Sequence, residues 1–356
     1  MNVIDVRIED GAEEPIGSHR WASVGQVAWV SDGRGLIIVA TDRGSGSGQI
    51  WQLSYPAGEV RRITNDLNDY EGIDLTADSN SLVTIQGNSI QHTWIVANGD
   101  AARAKQIAPQ ANTFSWTPDG RLVYDSDIGD ETDIWIVDGD GTNAKQLTVG
   151  SKSNDHPIVS RDGRYIIFKS NRMDTSHIWR MDIDGSNPME LTSGNGEELG
   201  DCSPDGQWLV YAATGALWKV SISGGNPLKL ADNVQANPPV ISPDGKLIAC
   251  DYWDREPLTP AVTAVFPFEG GTPIKTFHIP LGGARWSPDG HALLYSDTRG
   301  GVSNIWSQPI AGGAPTQLTD FKSDQIFWFD WSRDGKQLAC SRGVVTENVV
   351  LMSNLK

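Results

Sequence analysis

Asp69, Asp155, His156 and Glu197 are of the types that hold divalent cations, and each stands just ahead of a β-rich run. Carboxylate oxygens with an imidazole nitrogen suit calcium or a transition metal, and a metal so held can polarise a substrate. At corresponding places lie Arg20, Tyr70, Asn112, Asn237 and Asp324, with Trp253 in an irregular stretch further on. These ten form the candidate ligand- or partner-binding set, and the first four double as candidate metal ligands. Asp138-Gly139-Asp140-Gly141 and Asp182-Ile183-Asp184-Gly185 look superficially like calcium loops. An EF-hand needs Gly at position six and Glu at position twelve, where the chain has Asn143 or Asn187 and Val149 or Ser193. Both are expected to be hairpin turns. Gly44-Ser45-Gly46-Ser47-Gly48 has Gly where a hydrolase elbow needs its nucleophile, and no His-Glu-x-x-His, Walker or dinucleotide motif occurs. No catalytic residue is assigned.

The elements that must position these side chains come from a repeat. Among 356 residues, a Ser/Thr-x-Asp-Gly turn recurs with aspartates at 32, 78, 119, 162, 205, 244, 289 and 334, the first copy reading Val30-Ser31-Asp32-Gly33. Seven copies keep the Gly, and Thr76-Ala77-Asp78-Ser79 is a decayed one. Intervals of 39 to 46 residues match one four-stranded blade each. Three residues before each Asp stands an apolar mark: Trp29, Leu75, Trp116, Val159, Cys202, Ile241, Trp286 and Trp331. After each turn comes an apolar run such as Tyr165-Ile166-Ile167-Phe168. A Trp-marked strand such as Ile134-Trp135 follows, then a last strand ending as in Gln146-Leu147-Thr148. Each unit therefore predicts strands A, B, C and D, with the strand tryptophans in the core. One blade cannot bury both faces, so blades stack until they close.

The expected fold is all-β: a single eight-bladed β-propeller of four-stranded antiparallel blades spanning residues 1–356. The last unit ends in Val349-Val350-Leu351-Met352 without a D strand, and residues 3–16 match residues 50–63 at an offset of 47. Residues 1–17 are therefore expected to complete the last blade. Whether strand C of that blade comes from the N- or the C-terminus stays open.

Composition narrows the partners. A net charge of −17 disfavours nucleic acid and anionic lipid. No apolar run is long enough to span a bilayer, and Met1 to Gly11 lacks signal-peptide patterning. Any export is expected to depend on a segment outside this chain. Cys202, Cys250 and Cys340 occupy apolar strand positions and are expected to be buried thiols.

The repeated Ser-Pro-Asp-Gly turns with downstream Ile-Trp and Leu-Thr resemble the TolB-like β-propeller repeat family. The resemblance implies binding of a protein, peptide or small ligand at the mouth of the central channel. Such arrays are similar to the C-terminal sensor halves of bacterial Ser/Thr kinases of eukaryotic type and of some transcription regulators. The α/β domain that precedes the propeller in TolB itself has no counterpart here, so an excised sensor domain is the expectation.

The residues before each A strand do not repeat, and function can hide there. Clustered acids make a cation, calcium included, or a basic peptide the expected guest; no cofactor is otherwise assigned. Arg43, Arg172 and Arg299 recur about ten residues after their turn aspartates and are expected to pair with neighbouring blades. The stretch Asp251 to Pro260, with Tyr252, Trp253, Arg255 and Pro257, departs furthest from the repeat and suits a partner surface or a cover for the channel. A monomeric, non-catalytic recognition domain of a larger signalling protein is the first expectation. A metal-dependent lactonase or lyase propeller is the second, and an envelope scaffold the third. The compartment is extracytoplasmic if the domain hangs from a membrane anchor, cytoplasmic otherwise.

Overall fold

The Asp-Gly turns take the form their residue types require. In the computed structural model, which describes every residue except 43–46, 98–103, 109–110, 128–130, 151–152, 174, 236, 254–259 and 356, the hydroxyls of Ser242, Ser287 and Ser332 donate to Asp244, Asp289 and Asp334 at 2.7, 2.6 and 2.7 Å. The same carboxylates accept the N–H two residues on. The hydroxyl bonds first, and then these amides, hold all three carboxyls below their ordinary value. The following glycine takes a positive φ, as at Gly245 (76°), where an L side chain would be strained.

A second lock explains the recurring Leu-Thr. Oγ1 of Thr64, Thr148, Thr192 and Thr319 accepts the N–H of Ile50, Ile134, Ile178 and Ile305 at 2.9, 2.9, 3.0 and 2.9 Å. A strand too short to make a full ladder is thereby fastened to strand C.

The fold is all-β, built of about eight antiparallel sheets in the manner of a multi-bladed β-propeller. Among the described residues six have four strands, one has five and one has two. All eight repeats form an A–B hairpin. The chain divides into two compact units, residues 1–90 with 344–356, and residues 91–343.

In the second unit the A strands are Phe114–Trp116, Asn154–Val159, Glu197–Cys202, Val240–Ile241, Arg285–Trp286 and Gln325–Trp331. The first five open four-stranded sheets. The sixth sheet is finished by residues 337–343, residues 91–97 and Lys105–Ala108. Those last two segments lie upstream of the first sheet, so the ring closes through them. At the seam, Trp116 Nε1 donates to the Asp330 carbonyl (3.2 Å) and Trp328 Nε1 to the Phe114 carbonyl (3.1 Å).

The sequence assigns residues 1–17 to the last blade. Ile4–Val6 and Glu13–Pro15 pair with each other as a two-stranded sheet. The C-terminal strand Gln337–Ser353 pairs with Ser81–Ala97, the strand C slot that the sequence left open. In the first unit, residues 344–353 and 81–90 share a sheet with Asp69–Leu75, beside the sheet opened by Ser23–Trp29.

Cores sit between sheets. One cluster joins Leu199, Cys202 and Tyr211 to Ile167 and Ile178 of the preceding sheet. Cys202, Cys250 and Cys340 are buried and unpaired, and burial raises their thiol pKa, that of Cys340 to about 12. Trp116 and Trp286 are buried as expected, whereas Trp29 is 53% exposed, covered edge-on by Tyr55. Among the described residues no helix is long and apolar enough to cross a membrane.

Candidate functional site

In the second unit the residue four before each turn Asp comes to a common cavity: Ser115, Ile158, Asp201, Val240, Arg285 and Asp330. Six A strands converge there, and pleating turns one side chain of each toward the axis. The turn residues Arg161 and Arg333 and the strand residues His156, Trp328 and Trp331 complete the charged and aromatic part of the wall.

Three guanidiniums and two carboxylates share this space. Arg285 lies against Trp328, its guanidinium carbon 4.2 Å from the ring centroid, and Nη1 donates to the Ala284 carbonyl at 3.0 Å. Burial depresses its pKa, with Asp330 and Asp201 acting the other way; a guanidinium stays charged regardless. Arg333 reaches past the first sheet to the second, donating to the carbonyls of Val159 (3.2 Å), Ser160 (2.8 Å) and Arg161. It ties the ring together at its turn end. Asp201 has both oxygens engaged, Oδ1 by the Cys202 N–H (2.7 Å) and Oδ2 by the Ile241 N–H (3.0 Å). Burial pushes Asp330 up to about 6; Arg285 opposes the rise and Asp201 adds to it. Among the described residues, none of Arg161, Arg285 and Arg333 forms an ion pair with a carboxylate.

His156 enters the wall with a φ of 54°, its Nδ1 2.8 Å from Asp155 Oδ1 and its ring centroid 6.0 Å from that of Trp328. Burial works against its charged form, but the Asp155 hydrogen bond and charge outweigh burial and raise its pKa. Asp125, buried and accepting from Thr113 N–H (2.6 Å) and hydroxyl (2.7 Å), adds to that field. A second cavity, bordered by Gly282, Gly283, Tyr295 and Ser296, shares Arg285 and Trp328 with the first.

Of the ten residues singled out in the sequence, only His156 lines the channel, with Asp155 bonded to it. Six of the others bond to nearby parts of the chain. Glu197, 4% exposed, accepts from the Thr192 hydroxyl and the Gly194 N–H (3.0 Å). Asn112 donates to Asp127 (3.0 Å) and Asn237 to Asp251 (2.8 Å). Asp324, at φ 68°, lies 3.5 Å from Arg342. In the first unit, Asp69 accepts the Gly48 N–H, and Tyr70, 2% exposed, donates to Asp66 at 2.7 Å. Arg20 and Trp253 are exposed.

Among the described residues no three His, Cys, Asp or Glu side chains come together as metal ligands. Asp138 and Asp182 instead accept from Asn143 and Asn187, both at 2.7 Å and both at positive φ, as hairpin turns require. Arg172 bonds Asn154 (3.0 Å) and Arg299 pairs with Asp297 (2.8 Å), each within its own sheet rather than with a neighbouring blade. Arg43, Arg255 and Pro257 lie outside the described residues.

Sequence reasoning passed over Arg161, Asp201, Arg285, Trp328, Asp330 and Arg333. A signal was available. Arg161 and Arg333 stand where four other turns have Pro, and Asp201, Arg285 and Asp330 are charges one residue before an apolar mark.

Residues 102–262 match the family model described as the TolB beta propeller domain. The solved structure of TolB from Acinetobacter baumannii superposes with a TM-score of 0.54 at 15% identity, over 90% of this chain and 80% of that one. The chain is a TolB-like β-propeller repeat domain. Among curated proteins, an uncharacterized protein of Agrobacterium fabrum is 34% identical over 107 residues, 27% of this chain and 36% of that one. Tricorn protease homolog 1 of Streptomyces coelicolor is 33% identical over 77 residues, 21% of this chain and 7% of that one. The TolB-like chain therefore spans well under half the length of these relatives, and with TolB it shares the fold.

Proposed function

We propose that the chain is a non-catalytic recognition module, the sensor part of a signalling protein, which takes a protein, peptide or small ligand in the channel of residues 91–343. One observation carries this reading: within a repeat whose other positions recur, the channel wall carries unrepeated charged and aromatic side chains, with the Arg285 guanidinium over the Trp328 ring. Concave sites with a few convergent polar groups are where ligands bind. Repeat chemistry accounts for the turn aspartates and for most strand tryptophans, and leaves these residues unexplained.

Panning the purified chain against a displayed peptide library, then titrating enriched peptides by calorimetry, tests the reading. Saturable one-to-one binding that weakens at least tenfold in Trp328→Ala supports it. Peptides that bind equally well to Trp328→Ala, or no saturable peptide at all, refute it.

A further inference from the structure

We infer that the channel of residues 91–343 is a carboxylate-binding site, with Arg285 as the receiving group and Arg161 and Arg333 supplying the surrounding positive charge. This rests on the recognition reading and names the chemistry of its ligand.

The contact with the Trp328 ring, 4.2 Å from the guanidinium carbon to the centroid, positions the Arg285 guanidinium. A single N–H of its fork is taken, by the Ala284 carbonyl, so most of its five donors remain for a guest. A flat, oriented fork matches a carboxylate bidentately, which a flexible ammonium cannot do.

The nearby acids do not serve as that partner. Asp201 already accepts two backbone N–H groups. Asp330 stands in the same wall without forming an ion pair with Arg285. Asp330 and Asp201 attract this guanidinium only from beyond ion-pair distance, which leaves part of its burial cost uncompensated, and a ligand carboxylate in direct contact lowers that cost. Arg333 is anchored on three carbonyls and cannot swing away, so its charge is permanent there.

The same wall disfavours the guest that the loop acids suggested. A cation or basic peptide would meet three guanidiniums. Beside Arg285 the second cavity runs past Gly282 and Gly283, at which an added Cβ would meet nothing within 4 Å. The remainder of a ligand has room there.

Protonation reinforces the selection. Asp330 and His156 face the cavity together with Arg161, Arg285, Arg333 and Asp201; Asp155, Asp125 and Lys169 stand behind His156. As pH falls from 8 to 5.5, Asp330, raised to about 6, loses charge, so a carboxylate ligand binds more tightly.

Calorimetry and thermal melts with tricarballylate, its neutral triamide, inorganic phosphate and spermine test the inference on the intact chain. Tricarballylate is expected to bind saturably and raise Tm. Arg285→Gln weakens it at least tenfold, and Arg285→Lys, which keeps the charge but loses the fork, falls between. If Arg285→Gln melts early, Arg161→Gln gives the same test with a smaller loss. Equal binding of the triamide, phosphate or spermine overturns the inference, as does unchanged affinity in both glutamine variants. Should panned peptides still bind through Trp328 while tricarballylate does not, recognition stands and the carboxylate assignment falls; failure of both removes both.

Discussion

Glu197 and Arg285 are both charged residues in A strands of the same unit, yet their surroundings are opposite. Glu197 begins its strand, where the preceding loop curls back and offers the Thr192 hydroxyl and the Gly194 N–H. Arg285 sits where six strands face an axis, and beyond one bond to the Ala284 carbonyl its charge meets a ring face and open space. Loop polar groups are satisfied by the chain next to them. In the channel wall Asp201 and Arg333 are satisfied by backbone groups, whereas Arg285 is left over for something else.

That contrast between loop and wall can be broken or sharpened in steps. The largest expected effect is on the wall's framework: an added Cβ at Gly200 would meet the Val210 carbonyl oxygen at 2.3 Å and Pro239 Cγ at 2.5 Å. Gly200→Ala should cost about 3 kcal/mol, read as a shift of the main denaturant transition. Retention of full stability would mean that the A strands are not packed as described.

Glu197→Ala comes next. It strands a buried hydroxyl and an N–H, and should cost about 2 kcal/mol while leaving tricarballylate affinity unchanged. Loss of affinity without loss of stability would move the loop acids into the site.

Asp330→Asn carries a sign. Its folded pKa is raised from 3.8 to about 6, so the folded chain keeps a proton that the unfolded chain has released, and stability falls as pH rises through that window. The variant should therefore be more stable than the parent at pH 8 by about 1 kcal/mol, and no more stable at pH 3.5. Asp244, Asp289 and Asp334, with lowered pKa values, act oppositely: their contribution is present above 3.8 and lost as pH falls through the folded values. Melts across pH 3–8 separate the two windows. The smallest effect belongs to Asp69→Ala with Asp324→Ala, which should leave tricarballylate affinity within twofold.

How much of this was legible in the sequence follows from the same contrast. Turns, caps and cores are local, so Asp244 with Ser242, or Thr148 with Ile134, can be read from spacing alone. All eight repeats appear as hairpins for that reason. Closure is not local. Residues 3–16 and residues 91–108 both carry strand patterns, and only pairing across more than two hundred residues chooses the second for the sixth sheet. The channel wall was hidden for a related cause: Asp201, Arg285 and Asp330 occupy one register position in three separate repeats, and nothing short of the closed ring brings them together. The loop acids drew attention because they cluster in sequence, where clustering most often means mutual hydrogen bonding.

Diffraction from crystals grown with tricarballylate tests the central claim most directly. A carboxylate of the ligand should appear within hydrogen-bond distance of the Arg285 guanidinium, beside Trp328 and inside a ring closed between Trp116 and Asp330. Ligand density confined to the loops around Asp69 or Asp324, or an open seam between Phe114 and Trp328, would contradict it.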